Sequence, residues 1–232
     1  MNLFSTSPPQ ARLTLRALAH LLRYPDAGLR VHLGDLAAAM EREAALSPVR
    51  QAELLRLLDR LAQRPALQVE ADFVELFDRG RSTSLHLFEH VHGDSRDRGP
   101  AMIDLIQTYE KAGLYMDPQE LPDHLAVVLE FASTQPPAQA REFLAETAHI
   151  VRVIFSALVQ RESPYASVLG AVLELAGERA QAVAVPDEPA LDDSWSEPEV
   201  FGGCSTAGQA KPGQAQPIHF VKTPASHQGA HA

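Results

Sequence analysis

The chain has very little cysteine and few aromatic residues. Its single cysteine is Cys204, so no disulfide can form within one chain, and a disulfide-stabilised secreted scaffold is excluded. Aromatic residues make up 6% of the 232 residues, whereas alanine and leucine are plentiful, which favours helices over sheets. These absences predict a helical protein of a reducing compartment, the cytoplasm.

Positive charge is scarce as well. Lysine and arginine number 20 against 30 aspartates and glutamates, which gives a net charge of −10 and a pI near 5.4. Such a surface repels nucleic acid and anionic lipid headgroups. The first residues carry neither the basic nor the apolar region of a secretory signal, and no apolar run is long enough to span a bilayer. We therefore expect a cytoplasmic protein with no nucleic-acid partner and no direct insertion into the membrane.

Apolar residues recur at helical spacing up to about residue 182, and prolines separate the runs. Ser47 and Pro48 read as the N-cap and first-turn proline of one helix, and Gly113 reads as the glycine that ends another. The apolar stripes run from Leu15 to Leu22, Leu29 to Met40, Leu55 to Leu61, Val69 to Phe77, Met102 to Tyr109, Leu121 to Leu129, Phe143 to Leu158 and Tyr165 to Leu175. Residues 1–182 are thus predicted to form a single all-α domain of about eight or nine helices.

The composition changes after about residue 182. Residues 183–232 are rich in proline, glycine, glutamine, alanine and acidic residues, and the apolar periodicity ends. Too few large apolar residues remain there to offset the entropy of ordering. We predict a low-complexity, largely disordered tail, in which the acidic stretch from Trp195 to Phe201 is either a short docking element or an incidental set of aromatics.

One stretch of the helical part, SLHLFEHVHGDSRDRG at residues 84–99, concentrates histidines and charges. His86, Glu89 and His90 match the H-x-x-E-H pattern of inverted zinc peptidases. On a helix the two histidines would share one face, as a zinc clamp requires, and Glu89 could act on a metal-bound water. The third ligand would be Glu142, Glu146 or Glu162. A zinc-dependent hydrolase is one hypothesis, although a pattern that fixes three residues often matches by chance.

The same stretch also suits a binding edge between helices. Gly93 is placed to end a short helix, and Asp94, Ser95 or Asp97 can cap the next one. Polar groups able to hold a peptide backbone or a cationic side chain alternate here with apolar side chains, which are Leu85, Leu87, Phe88 and Val91. Because phosphate-binding loops and a serine nucleophile elbow are missing from the sequence, the residues alone leave a binding protein and a zinc hydrolase open.

Several longer segments resemble a known family. They are LRYPDA at residues 22–27, ELFDRGR at 75–81, FEHVHGDSRDRG at 88–99, ELPDHL at 120–125 and QRES at 160–163. In this order they resemble the NarJ family, the assembly chaperones of the membrane-bound respiratory nitrate reductase. That family belongs to the wider all-helical TorD-like group, and the resemblance covers roughly residues 10–182.

The resemblance implies a dedicated chaperone rather than an enzyme. Such chaperones bind the immature catalytic α subunit of nitrate reductase, including its N-terminal segment, and hold the αβ complex before membrane docking. Meanwhile a molybdenum guanine-dinucleotide cofactor and iron–sulfur clusters are inserted into the client, so no cofactor is expected in the chaperone itself. Molybdenum cofactor delivery proteins are candidates for further partners. The chain departs from the family pattern at His86, where an aliphatic residue serves, and at Ala126, where proline is frequent.

The predicted client-peptide site lies beside the 84–99 segment. Phe88, Val91 and Leu121 would supply apolar contact, while Glu89, Asp94 and Asp97 would attract basic groups of the client, with His90 between them. This hypothesis contains no catalytic and no metal-binding residue. The alternatives are the zinc hydrolase and a helical adaptor for another redox enzyme of the same superfamily.

Overall fold

The computed structural model describes residues 9–93 and 95–185. Asp94, one of the predicted site residues, lies outside these ranges. So does the predicted tail beyond residue 185, including Trp195 and Cys204. The division of the chain into residues 1–182 and 183–232 remains a prediction.

The described ranges contain ten α-helices and no β-strand, which confirms the all-α prediction. The helices are α1 (Arg12–Leu21), α2 (Ala27–Val31), α3 (Leu33–Glu43), α4 (Pro48–Gln63), α5 (Ala66–Phe73), α6 (Leu87–His92), α7 (Arg98–Lys111), α8 (Leu125–Thr134), α9 (Pro137–Gln160) and α10 (Ala166–Leu175). A π-helical turn, Val74–Asp78, continues α5, and a 3-10 turn, Arg81–Thr83, follows it. An isolated antiparallel bridge pairs His86 with His124.

The number of helices exceeds the predicted eight or nine because one apolar stripe is divided. The stripe from Leu29 to Met40 forms two helices that meet at His32, whose backbone leaves the helical conformation (φ −96°, ψ 4°). The first of these helices has its own cap, since the Asp26 carboxylate accepts a hydrogen bond from the Leu29 amide at 2.8 Å. Spacing alone did not reveal this break.

Most predicted helix ends are confirmed. Ser47 caps α4 by accepting from the Arg50 amide, with Pro48 in the first turn. Gly93 (φ 52°) and Gly113 (φ 79°) follow α6 and α7 in the left-handed region that favours glycine. The stripe predicted to begin at Leu121 is different, because α8 begins only at Leu125, after the residues that pair with the segment before α6.

The main core forms where α9 packs along α10 and α1 packs along α8. Its fully buried side chains include Leu18, Leu21, Leu54, Leu125, Leu129, Ile154 and Leu169. A second, smaller apolar cluster joins α7, α8 and α9 through Tyr109, Val127 and Phe131, against which Leu105 and Phe143 pack. This second cluster fixes α7 to α9, and the groove described below lies along the line where they meet.

No helix within residues 9–93 and 95–185 combines the length and the apolar character needed to cross a bilayer.

Candidate functional site

The short helix α6 is capped by a residue distant in the sequence. His86 occupies its N-cap position but makes no side-chain capping bond. Instead, the Phe88 amide donates to Asp123 Oδ2 at 3.1 Å, and the Leu87 amide donates to the Asp123 carbonyl at 3.0 Å. A further bond runs from the Leu125 amide to the Leu85 carbonyl at 2.8 Å. Asp123 therefore satisfies first-turn amides that the local sequence leaves free.

The Asp123 carboxylate is fully buried and lies among charged groups. Its oxygens are 3.5 Å from His86 Nδ1 and 3.8 Å from Arg98 Nη2, separations of ion pairs rather than of well-formed hydrogen bonds. Burial by itself raises the pKa of Asp123, but pairing with His86, the Phe88 amide and the charge of Arg98 outweigh it and lower that pKa. Asp123 is thus held as a carboxylate at neutral pH.

His124 is held in the opposite sense, as a neutral ring. Burial, together with the electrostatic effects of the neighbouring His86 and Arg23, lowers the pKa of His124 to about 4, against the opposing effect of Asp123 and Glu120. Its Nδ1 accepts a bond from the Ala126 amide at 3.3 Å, which requires an unprotonated nitrogen. At neutral pH the adjacent residues Asp123 and His124 are therefore an ionised carboxylate and a neutral imidazole.

Arg23 ties the segment after α1 to the same place. Its guanidinium donates to Glu120 Oε1 at 2.6 Å and to Glu130 Oε1 at 3.1 Å. As a result, two of the segments that carry the family resemblance, 22–27 and 88–99, both contact a third, 120–125.

The zinc clamp predicted from the H-x-x-E-H pattern is wrong in its geometry. His86 precedes α6 and packs edge-on against the His124 ring, with ring centroids 5.0 Å apart. His90 Nε2 instead lies 2.9 Å from the Ser84 carbonyl oxygen, and Glu89 accepts from the Ser84 hydroxyl and pairs with Arg98. Within residues 9–93 and 95–185, no group of three or more His, Cys, Asp or Glu side chains could hold a metal ion.

A groove runs beside α6, between α7 and α9. We call it the acidic groove, and its lining comprises Phe88, Ala101, Asp104, Leu105, Thr108, Gln139, Glu142, Phe143 and Glu146. Its half-buried apolar side chains are Phe88, Leu105 and Phe143, and its exposed carboxylates are Asp104 on one wall and Glu142 and Glu146, one turn apart, on the other. Among the described residues, none of these three carboxylates has an ion-pair partner, and no lysine or arginine lines the groove. An apolar floor with acidic walls fits a helix that carries apolar and basic side chains.

Comparison with known proteins decides the family. The family model described as nitrate reductase delta subunit matches residues 42–169. The chain is 41% identical over 199 residues to the nitrate reductase molybdenum cofactor assembly chaperone NarJ of Escherichia coli, covering 81% of this chain and 84% of that protein. NarW of the same organism, whose name gives the same role, is 39% identical over 196 residues. The chain belongs to the nitrate reductase delta subunit family. This confirms the resemblance inferred from the sequence segments.

A solved structure of another protein supports the helical fold of this chain. A redox enzyme maturation protein from Archaeoglobus fulgidus superposes with a TM-score of 0.51 at 22% identity, covering 76% of this chain and 99% of that one. Relationships at this identity extend to the helical fold alone.

The predicted site residues of the described ranges lie in four different settings. Phe88 lines the acidic groove, whereas Glu89 and His90 are bonded to groups around Ser84. Val91 and Leu121 are exposed apolar side chains outside the groove lining, 52% and 46% exposed. Asp97 is exposed and bonded to the Ser95 hydroxyl at 3.2 Å.

Most residues that line the acidic groove were not predicted as site residues from the sequence. Asp104, Leu105 and Phe143 were not singled out, and Glu142 and Glu146 were singled out for zinc. The spacing of Glu142 and Glu146 already indicated that they share a helix face. What the sequence did not supply was the wall that faces them.

Proposed function

We propose that this chain is an assembly chaperone for a respiratory nitrate reductase. It binds the immature catalytic α subunit and supports insertion of the molybdenum cofactor and of iron–sulfur clusters before the enzyme docks at the membrane. The observation that carries the proposal is the 41% identity to E. coli NarJ over four-fifths of both chains. The work of such a protein is reversible binding, so it acts as a chaperone and not as an enzyme.

The client segment in this proposal is the N-terminal segment of the α subunit, bound as a helix in the acidic groove. Its apolar face would contact Phe88, Leu105 and Phe143, and its basic side chains would face Glu142, Glu146 and Asp104. Charge pairs of this kind favour correct orientation and fast association. The proposed contact extends to the other residues predicted from the sequence, which are Glu89, His90, Val91, Asp97 and Leu121, together with Asp94, which lies outside the described residues.

The wider setting follows from the same role. The molybdenum guanine-dinucleotide cofactor and the clusters belong to the client, and the chaperone needs no cofactor of its own. The chaperone would act in the cytoplasm on the αβ complex, where molybdenum cofactor delivery proteins meet the client. Support comes from the names of the relatives and from the acidic groove with its apolar floor.

Copurification tests the proposed function. The full chain, tagged, is expressed together with the α subunit of a respiratory nitrate reductase from the same organism, and the α subunit is expected to copurify. A matched preparation in which Phe88 is replaced by alanine should retain less α subunit, because Phe88 is a large apolar side chain in the groove. Failure of the wild-type chain to retain the α subunit would contradict the proposal.

Elemental analysis of the same preparation tests the zinc alternative. About one tightly bound zinc per chain would support a metal-dependent hydrolase. A folded, metal-free chain that retains its client supports the chaperone.

A further inference from the structure

The buried carboxylate of Asp123 is an unusual feature beside an open groove. Burying a carboxylate is costly unless it is paired and hydrogen-bonded. Asp123 is 0% exposed, yet Asp123 Oδ1 and the facing His86 Nδ1 make no hydrogen bond within the described part of the chain. Because burying this carboxylate costs folding free energy, we infer that Asp123 has a role that an apolar residue could not perform.

The contacts of Asp123 connect both elements on one side of the acidic groove. Through Oδ2 it accepts from the Phe88 amide at 3.1 Å, which fixes the first turn of α6. Through Arg98, the first residue of α7, it is linked to the next element, because Arg98 Nη2 lies 3.8 Å from Asp123 and 3.3 Å from Glu89 of α6. We call Asp123, His86, Arg98 and Glu89 the Asp123 clamp.

Phe88 is the point at which the clamp reaches the groove. Its backbone amide is bonded to Asp123, while its side chain lines the groove with Leu105 of α7 and Phe143 of α9. α6 has six residues and lacks a local side-chain cap, so little within the helix itself holds it. Loss of the Asp123 contacts would let the first turn of α6 and the Phe88 side chain move.

We propose that Asp123 is a positioning residue for client binding, which acts by holding Phe88 in the groove and by joining α6 to α7 through Arg98. The proposal rests on the proposed function, since it takes the acidic groove as the client site. Asp123 itself is buried and does not touch the client. Its effect on affinity is therefore transmitted entirely through the placement of Phe88 and of the helix that carries it.

A double-mutant cycle tests this role. The Asp123→Asn variant keeps the size of the side chain but loses the charge that strengthens the bond from the Phe88 amide and holds Arg98 and His86. Calorimetry of the full chain with a synthetic peptide of the client's N-terminal segment should give binding weakened about tenfold. In a Phe88→Ala background the same substitution should change the affinity by less than about twofold, because the side chain it positions is gone.

Controls separate positioning from general destabilisation. Ser156→Ala removes a buried hydroxyl that bonds the Arg152 carbonyl and the Val183 amide, away from the groove, and should leave the affinity unchanged. Should Asp123→Asn fail to fold, Arg98→Met breaks the same link from a partly exposed position and should show the same dependence on Phe88.

The outcomes are distinct. An equal loss of affinity with and without the Phe88 side chain would overturn the positioning role and leave the proposed function standing. Absence of peptide binding by the wild-type chain, together with failure to retain the α subunit, would remove the proposed function and this inference with it.

Discussion

Two grooves of opposite charge lie on the described part of the chain, and the long helix α9 contributes to both. The N-terminal half of α9 supplies Glu142 and Glu146 to the acidic groove. The C-terminal half supplies Phe155 and Val159 to a second groove, the basic groove, in which Arg50, Arg56 and Arg60 of α4 form one wall. A single helix thus serves two surfaces that attract oppositely charged partners.

Arg50 of the basic groove has partners within the described part of the protein, which the carboxylates of the acidic groove lack. Arg50 in the basic groove pairs with Glu53, lies 3.9 Å from Glu174 and sits against Gly170 of α10, where a Cβ atom would come within 2.5 Å of the guanidinium. The three carboxylates of the acidic groove make no such internal pairs among the described residues. Arg56 and Arg60 have no ion pair within the described ranges either, so both grooves carry unpaired charge. In the acidic groove this charge lies beside an apolar floor, where a basic client could supply the partner.

Charge reversal in the acidic groove should have the largest effect on the affinity for the client peptide. Replacing Glu142 and Glu146 together by lysine turns one acidic wall positive, and binding of the client peptide should weaken by roughly 100-fold because attraction becomes repulsion. Both side chains are exposed, so the melting temperature should change little. Calorimetry and thermal unfolding measure the two quantities.

The basic groove provides the matched control for that experiment. Replacing Arg56 and Arg60 by glutamate changes the net charge by the same amount with opposite sign, and the affinity for the basic peptide should rise by no more than about threefold. Effects of equal size and opposite sign for the two double variants would mean that the peptide senses net charge rather than the acidic groove.

The buried side chains of His124 and Asp123 should make the stability of the protein depend on pH. The pKa of His124 is about 4 in the folded chain and 6.5 in its ordinary state, so between these values the unfolded chain binds the extra proton. Stability should therefore fall as the pH drops from 6.5 to 4, by about 3 kcal/mol from this residue. Asp123, whose pKa is lowered, adds to the loss only below its ordinary value of 3.8.

The His124→Asn variant isolates this contribution, since an amide oxygen can replace Nδ1 as the acceptor for the Ala126 amide. Denaturant unfolding at several pH values should give the variant a flatter profile than the wild-type chain between pH 6.5 and 4. Parallel profiles for the two chains would show that His124 is not the titrating group.

Two buried tyrosines, one beside each groove, differ in their hydrogen bonding. The Tyr109 hydroxyl, beside the acidic groove, donates to the Pro122 carbonyl at 2.9 Å, whereas the Tyr165 hydroxyl, in the loop that borders the basic groove, has no partner in residues 9–93 and 95–185. Tyr109→Phe should lower the free energy of unfolding by about 1–2 kcal/mol because a buried acceptor loses its donor. Tyr165→Phe should leave it unchanged or raise it slightly, and a loss equal to that of Tyr109→Phe would contradict this account.

Local chemistry made much of the fold predictable. Ser47, Pro48, Gly93 and Gly113 each act within a few residues of their own position, so the helix ends they predict are confirmed. The division of one stripe at His32 escaped prediction because the spacing of apolar residues continues across it. The helical fold class and these helix ends could therefore be predicted from short-range sequence patterns.

The site depended instead on contacts across the chain. Asp123 caps α6 from 35 residues away, and neither segment contains a local sign of the other. Likewise, Glu142 and Glu146 share a face of α9, but only the apolar cluster that joins α7, α8 and α9 brings Asp104 and Leu105 opposite them. Reading His86 with His90 as one helix face failed for the same reason, since His86 is drawn out of the helix by pairing with His124.

The smallest expected effect concerns the edge of the proposed client contact. Val91 and Leu121 are exposed and lie outside the lining of the acidic groove, in contrast to Phe88, which lines it. Val91→Ala and Leu121→Ala should weaken peptide binding by about twofold to threefold each, since truncation at the rim of an interface removes little buried area. Phe88→Ala, measured under the same conditions, should cost about tenfold. If the two rim substitutions were to match or exceed Phe88→Ala, the client segment would lie across the exposed side of α6 and the 120–125 segment, and the acidic groove would not be its main binding surface.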